Sequence, residues 1–154
     1  MKIAFLGLGL IGGSVARALR ERRSGGTDEP IRIAAWTPSG VGPRAAHRDG
    51  VVDVAASSPE AAIEGADIVV LAGPVPACVA MLDELAGAWR SAVGPTSVIT
   101  DVASTKSALV LRATVLGLRF VGGHPMAGRD ESGYAASSGD LFVDRPWVVV
   151  PGSD

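Results

Sequence analysis

Short apolar runs alternate with longer stretches of helical period along the whole chain, from KIAFL near its start to WVVV near its end. A run that is apolar throughout suits a strand buried on both faces, and a stretch with an apolar stripe suits a helix packed on such a sheet. The pattern predicts strands at Lys2 to Leu6, Ile31 to Trp36, Val51 to Val54, Ile68 to Ala72, Ser97 to Thr100, Arg119 to Val121 and Trp147 to Val150. It predicts helices near Ile11 to Arg22, Arg44 to Asp49, Pro59 to Glu64, Pro76 to Trp89 and Thr105 to Leu116. Strands and helices in alternation make an α/β fold, a mostly parallel sheet with helices on both faces.

Local punctuation sharpens the boundaries. Ser58 before Pro59 reads as an N-cap with proline in the first helical position, and Gly117 ends the helix that precedes it. The stretch Ser24 to Pro30, SGGTDEP, reads as a polar surface loop away from the carboxyl ends of the strands. With 154 residues and no internal repeat, residues 1–154 fit one domain around a single core.

Composition narrows the classes of function. The formal charge is only -2 with both signs interspersed, so no basic stripe is available for a phosphate backbone and nucleic acid is not an expected partner. Gly7, Gly9, Gly12 and Gly13 interrupt the first apolar stretch, which therefore does not read as a signal peptide. No run of about 18 apolar residues is present to span a bilayer. The single cysteine, Cys78, allows no internal disulfide and reads as a small buried thiol; a reducing cytoplasm is the expected compartment.

Chemistry enters at IAFLGLGLIGGSVARAL. Gly7, Gly9 and Gly12 have the G-x-G-x-x-G spacing, directly after a predicted strand and at the opening of a predicted helix. In that setting Gly7 makes a tight turn, Gly9 admits a pyrophosphate to the backbone, and Gly12 lets helix and strand pack closely. The N–H groups around Leu10 and Ile11 then face the anion. The expected fold is thus doubly wound, of the Rossmann type, with NAD or NADP as cofactor; a purely structural glycine turn is the alternative.

An NAD site commonly ends its second strand in an acidic residue that holds the ribose hydroxyls. Here IRIAAWTPSG ends at Thr37 without a carboxylate, and Asp28 and Glu29 precede the strand rather than follow it. Thr37, Ser39 and Arg44 would instead surround a 2′-phosphate, which favours NADP over NAD. Otherwise Arg44 is a surface residue of its helix. Further on, ADIVVLAGPVPA ends in a Gly-Pro turn, so Gly73, Pro74 and Val75 are expected along the nicotinamide side, with Pro76 starting a helix.

The segment VITDVASTKSALV puts Asp101, Ser104, Thr105 and Lys106 after the next strand, near the carboxyl edge where the cofactor is expected; Asp101 is a candidate cofactor contact. The structural alternative makes Asp101 a turn former, Ser104 an N-cap and Lys106 a solvated first-turn residue. In FVGGHPMAGRDESG, His124 follows another predicted strand at the same edge. Hydride removal from an alcohol carbon needs an acceptor for the hydroxyl proton, and a neutral imidazole serves near pH 7; a structural histidine is the alternative. His47, among Arg44, Arg48 and Asp49, reads as a solvated surface residue, and the sequence offers no cluster of metal ligands.

Taken in order, GLGLIGGS, ADIVVLAGPVPA, TDVASTK, GGHPMAG, ESGY and DLFVDRPWVVVP resemble the nucleotide-binding domain of the prephenate dehydrogenase family, which includes arogenate and cyclohexadienyl dehydrogenases. The resemblance covers essentially the whole chain. Many dehydrogenases share the glycine motif, whereas GGHPMAG and DLF…RPW are more specific. The resemblance implies NAD(P)-dependent oxidative decarboxylation of prephenate to 4-hydroxyphenylpyruvate, in tyrosine biosynthesis, without a metal. It implies that His124 hydrogen-bonds the ring 4-hydroxyl and assists its deprotonation, with Ser104 beside it and the nicotinamide as a second catalytic residue. Gly122, Gly123 and Gly128 would then let the backbone approach cofactor or substrate. Arg129 is a local anion contact or a solvated loop charge, and Asp130 stands where relatives often carry glutamate.

Family members continue into a helical second domain that dimerises and brings an arginine to the substrate carboxylate. This chain stops before such a domain, and no paired-arginine site for the two carboxylates of prephenate is evident in its sequence. The expectation is a domain that binds NAD(P) by itself, turns prephenate over poorly or not at all, and forms a homodimer only through the second domain. The alternatives are an arogenate or amino-substituted substrate, a 3-hydroxyacid or imine reductase-like oxidoreductase, and a noncatalytic dinucleotide-binding module.

Overall fold

The computed structural model describes residues 1–22 and 30–151. Among these the elements run β1 (Lys2–Leu6), α1 (Leu10–Arg22), β2 (Arg32–Trp36), α2 (Val41–Arg48), β3 (Val54–Ala55), α3 (Pro59–Ile63), β4 (Ile68–Leu71), α4 (Val75–Ala86), β5 (Val98–Asp101), α5 (Ser107–Val115), β6 (Phe120–Pro125) and β7 (Trp147–Val150). Short 3-10 turns lie at Arg90–Ala92 and Tyr134–Ala136. The strands form one sheet in the order β3-β2-β1-β4-β5-β6-β7. All neighbours are parallel except β7, which runs antiparallel to β6. The strand order reverses between β1 and β4, and sheets of this kind bind ligands in the crevice at that switch point, outside the carboxyl ends of the strands. Leu6 is in register with both Trp36 and Leu71, so the three strands end together there.

The uninterrupted apolar sequence of β1 follows from burial on both sides. Successive strand side chains face opposite ways. Ala4 and Leu6 pack with Ile63, Leu82 and Leu109 of α3, α4 and α5. Ile3 and Phe5 pack with Ala16 of α1, Ala46 of α2 and Val52 on the other face. Each such large side chain contributes about 1.5–3 kcal/mol on burial.

Several boundaries differ from the sequence expectation. The strand predicted at Val51 to Val54 is instead Val54–Ala55, because the N–H groups of Val51 and Val52 bond to the Ala46 carbonyl at the end of α2 while their side chains enter the core. A buried apolar pair suits a helix exit as well as a strand, and period does not separate the two. Helix α2 begins at Val41 rather than Arg44, after Gly40 in the left-handed region at φ 64°. Helix α4 starts at Val75 and stops at Ala86, short of the expected Trp89. Strands β5 and β6 run on to Asp101 and Pro125, and α5 starts only at Ser107. Asp101 and His124 consequently lie within strands rather than after them.

The predicted caps are present. Ser58 Oγ accepts the Ala61 N–H at 3.2 Å, and Gly117 has φ 64° just past α5. Residues 24–29 of the predicted surface loop, including Asp28 and Glu29, lie outside the described residues. Among the described residues no helix is long and apolar enough to cross a membrane.

Candidate cofactor and catalytic site

Gly7 leaves β1 with φ 106°, a conformation that side chains rarely adopt, and a Cβ there would stand 2.6 Å from the Ala72 carbonyl. Its N–H bonds to the Trp36 carbonyl at 2.9 Å, so the turn is pinned between β2 and β4. Gly12 is required by packing, since a Cβ would come within 2.8 Å of Ala72 Cβ and 2.9 Å of the Gly7 oxygen. Gly9 is different: a Cβ there would meet nothing within 4 Å. The opening at Gly9 adjoins the start of α1, where the N–H groups of Leu10, Ile11 and Gly12 have no intrahelical acceptor. Free N–H groups and the positive end of the helix dipole fit a pyrophosphate at this place.

Thr37, Ser39 and Arg44 come together on the turn after β2. Thr37 Oγ1 accepts the Gly40 N–H at 3.1 Å and Ser39 Oγ the Val41 N–H at 3.3 Å. The Arg44 guanidinium folds back to donate to the Ser39 carbonyl at 3.1 Å, so its charge sits over the turn. Thr37 and Ser39 line a cleft of about 440 Å³ with Gly9, Gly42 and Tyr134. Gly73, at the end of β4, lies against the glycine turn: its nitrogen would be 2.8 Å from a Cβ on Gly7. Pro74 and Val75 continue from it into α4. Cys78 is fully buried, with its thiol on the Gly73 carbonyl at 3.2 Å. Burial pushes that thiol pKa up, which keeps it protonated and unreactive.

Asp101 is fully buried at the end of β5. Its Oδ1 accepts the Gly123 N–H at 3.1 Å, and its Oδ2 accepts the Ala103 N–H at 2.8 Å and pairs with Lys106 Nζ. This arrangement corrects several expectations. Asp101 offers no surface to a cofactor, because protein donors occupy both carboxylate oxygens. Lys106 is not a solvated residue, and Ser104 is not an N-cap, since Lys106 precedes α5 and no side chain caps it. Gly122 and Gly123 are buried and make room inside the protein rather than for a ligand. A Cβ on Gly123 would lie 2.6 Å from the Asp101 carbonyl oxygen, and one on Gly122 3.0 Å from Lys106 Cδ. Gly128, by contrast, is open on its Cβ side.

One carboxylate thereby fixes two backbone segments. Ser104, exposed, follows Ala103; His124, half-buried and in register with Val148 of β7, follows Gly123. Arg129 and Asp130 are exposed in the loop beyond. His47 is exposed, as expected, with Nδ1 3.2 Å from the Val52 carbonyl oxygen.

Tyr134 escaped sequence reasoning, which used ESGY only as part of a resemblance. The 3-10 turn that carries it packs against α1 and α2, and Tyr134 lines the same cleft as Thr37. The buried phenol donates to Asp49 Oδ2 at 2.9 Å, and Arg17 lies over the ring at 4.6 Å. Arg17 Nε also donates to Ser137 Oγ at 2.9 Å, and the Ser138 N–H donates to Ser14 Oγ at 3.0 Å. No local pattern announces these partners.

Burial and the Asp49 bond together push the Tyr134 hydroxyl up to about 12. Because the folded pKa exceeds the ordinary value of 10.0, the stabilisation is complete below pH 10 and is lost as pH rises through 12. Tyr134 is the chain's single tyrosine. Its tyrosinate absorbance is therefore expected to appear only at the top of this window in the folded domain, and near pH 10 in the unfolded chain. Titration at the ordinary value in the folded domain would contradict the Asp49 contact.

Sheet order and glycine turn together define a class, a dinucleotide-binding α/β domain. Residues 15–154 match the family model described as the prephenate dehydrogenase nucleotide-binding domain. The chain belongs to the prephenate dehydrogenase family. It is 40% identical over 153 residues to the prephenate dehydrogenase of Bacillus subtilis, covering 97% of this chain and 39% of that protein. Its fold is similar to the arogenate dehydrogenase of Synechocystis, with a TM-score of 0.86 and 32% identity over 99% of this chain and 51% of that one. It is also similar to the Aquifex aeolicus prephenate dehydrogenase solved with hydroxyphenyl propionate and NAD+, with a TM-score of 0.84 and 27% identity over the same shares. The chain thus spans between 39% and 51% of the length of these relatives.

Proposed function

We propose that this chain is the cofactor-binding part of an NAD(P)-dependent enzyme that oxidatively decarboxylates prephenate to 4-hydroxyphenylpyruvate in tyrosine biosynthesis. The observation that supports this best is the Asp101 carboxylate, which joins the backbones of Ala103 and Gly123, the residues just before Ser104 and His124, at the sheet edge that also carries the glycine turn. A bound nicotinamide supplies the carbon that takes the hydride. His124 holds the ring 4-hydroxyl and accepts its proton as the C4–H bond breaks, with Ser104 hydrogen-bonding beside it. The bond from the ring to its carboxylate then breaks, CO2 leaves, and the electron pair completes the aromatic ring as the oxygen regains a proton. Aromatisation drives the reaction, so the chain chiefly orients the reacting atoms and handles one proton.

Substrate recognition and homodimerisation belong, in this reading, to a helical second domain, and the isolated chain binds cofactor but turns prephenate over poorly. The setting is the cytoplasm. Arogenate is the second reading, supported by the likeness to the Synechocystis enzyme; comparing turnover of both substrates by the full-length protein separates them.

Thr37, Ser39 and Arg44, with no carboxylate from Trp36 to Arg44, favour NADP. Calorimetric titration of this chain is expected to give NADP+ about tenfold tighter binding than NAD+, roughly the 1.4 kcal/mol of one charge-assisted contact. Arg44→Ala should bring the two affinities together. Tighter binding of NAD+ to the unaltered chain would remove the case for a 2′-phosphate site.

A further inference from the structure

Gly13 follows the G-x-G-x-x-G spacing without belonging to it, and it lies against the turn that carries Tyr134. A Cβ there would come within 2.9 Å of Ser137 Cβ, Ser137 Oγ and Tyr134 Cδ2. Gly42, near the start of α2, meets the same turn: a Cβ on it would be 3.5 Å from Tyr134 Cβ and 2.7 Å from the Leu8 carbonyl oxygen. Residues 133–138 thus form a strap that sits in two glycine notches, one on each helix. Gly133, at φ 83°, turns the chain into it.

A single carboxylate oxygen ties the strap to both helices. Asp49 caps the carboxyl end of α2, and its Oδ2 accepts the Tyr134 hydroxyl at 2.9 Å and pairs with Arg17 Nη2 of α1 at 3.1 Å. Arg17 also lies over the Tyr134 ring at 4.6 Å, so α1, α2 and the strap meet in one closed set of contacts. A charged acceptor and a buried phenol make the bond stronger than a surface contact. The far end of the strap is held by α1 alone, through the Ser138 N–H on Ser14 Oγ at 3.0 Å and Arg17 Nε on Ser137 Oγ at 2.9 Å. Tyr134 lines the cleft with Gly9, Thr37 and Ser39, whereas Asp49 and Arg17 stand behind it.

We infer that the strap is a positioning element for the cofactor, in which Tyr134 acts with Asp49 and Arg17 to set α1 against α2. The inference rests on the reading of the cleft as part of a dinucleotide site. The start of α1 offers N–H groups to the pyrophosphate, and the turn before α2 carries Thr37, Ser39 and Arg44. A dinucleotide has to reach both at once, so its affinity depends on how the two helices are placed. Packed helices slide past one another by small amounts, and pinning them before binding spares the cofactor the cost of ordering them. By linkage, a cofactor that prefers the pinned arrangement makes the strap harder to open by the same factor.

Calorimetric titration of the whole chain with NADP+ and NAD+ tests this on residues behind the cleft. Asp49→Ala and Tyr134→Phe are each expected to weaken the tighter dinucleotide about fivefold or more. The double variant should be no more than about twofold weaker than the weaker single one, since both break one link. Asp49→Asn keeps an oxygen acceptor for the phenol and is expected to restore affinity to within about twofold of the unaltered chain. Urea midpoints from tryptophan fluorescence show that each variant is folded under the titration conditions. Hydrogen exchange gives the reciprocal reading: saturating cofactor should slow exchange of the Ser138 amide, and Tyr134→Phe should speed it in the free chain. Unchanged affinity in folded Asp49→Ala, equal weakening by Asp49→Asn and Asp49→Ala, or Ser138 exchange indifferent to cofactor overturns the inference while the dinucleotide site stands. If neither dinucleotide binds the unaltered chain, the cofactor reading falls and the inference falls with it.

Discussion

Replacing Asp101 with alanine is expected to destabilise the domain by about 3–5 kcal/mol, the range for removing one partner of a buried ion pair. The physical account has three parts. The Gly123 and Ala103 N–H groups lose a shared acceptor, at about 1–3 kcal/mol for each that stays buried without a partner. Lys106 is left without its counter-charge, and a small void opens between β5 and β6. Asp101→Asn keeps the shape but turns an amide N–H toward donors, so its effect should lie nearer to alanine than to the native residue. Urea denaturation followed by tryptophan fluorescence measures the change; a loss below about 1 kcal/mol with an unchanged denaturant slope would show that the carboxylate does not hold these segments. In the full-length protein, Asp101→Asn is also expected to lower kcat more than it alters the KM for cofactor. The glycine turn makes no contact with Asp101, whereas the neighbours of Ser104 and His124 do.

The second large effect is on chemistry. His124→Ala in the full-length protein is expected to lower kcat by about 10²-fold or more, the usual contribution of a positioned proton acceptor, with cofactor affinity nearly unchanged. His124 is half-buried and its place is set by backbone pairing with Val148 and by the Gly123–Asp101 bond, so the substitution leaves the strand intact. Steady-state kinetics and cofactor titration on the same variant separate the two roles. An unchanged kcat would return His124 to a structural part and leave the proposed reaction without its proton acceptor.

Much of the fold could be read from local order along the chain. Apolar runs such as IAFL and IVVL, and the glycine spacing after the first of them, carry period and turn information within a few residues. That is enough to identify a parallel sheet and the helix that starts at its glycine turn. The candidate residues His124, Ser104, Thr37, Ser39 and Arg44 were legible for the same reason, since each follows or ends a predicted strand on the carboxyl edge.

Contacts between distant segments were not legible. Asp101 reads as a turn residue or a ligand contact because sequence does not tell the last residue of a strand from the first of a loop. Only the approach of β6 to one oxygen and of Ala103 and Lys106 to the other shows that both are taken, and that Gly122 and Gly123 are small to admit the Asp101–Lys106 pair. Val51 and Val52 read as a strand because burial, which they share with strands, is all that hydrophobicity reports. Tyr134 meets Asp49 and Arg17 only after the chain has crossed the sheet. Composition and spacing thus settled the scaffold and the sheet edge that carries the glycine turn, because backbone periodicity and glycine turns are local. Which charges are neutralised depended on tertiary structure, because electrostatic pairing follows distance in space rather than along the chain.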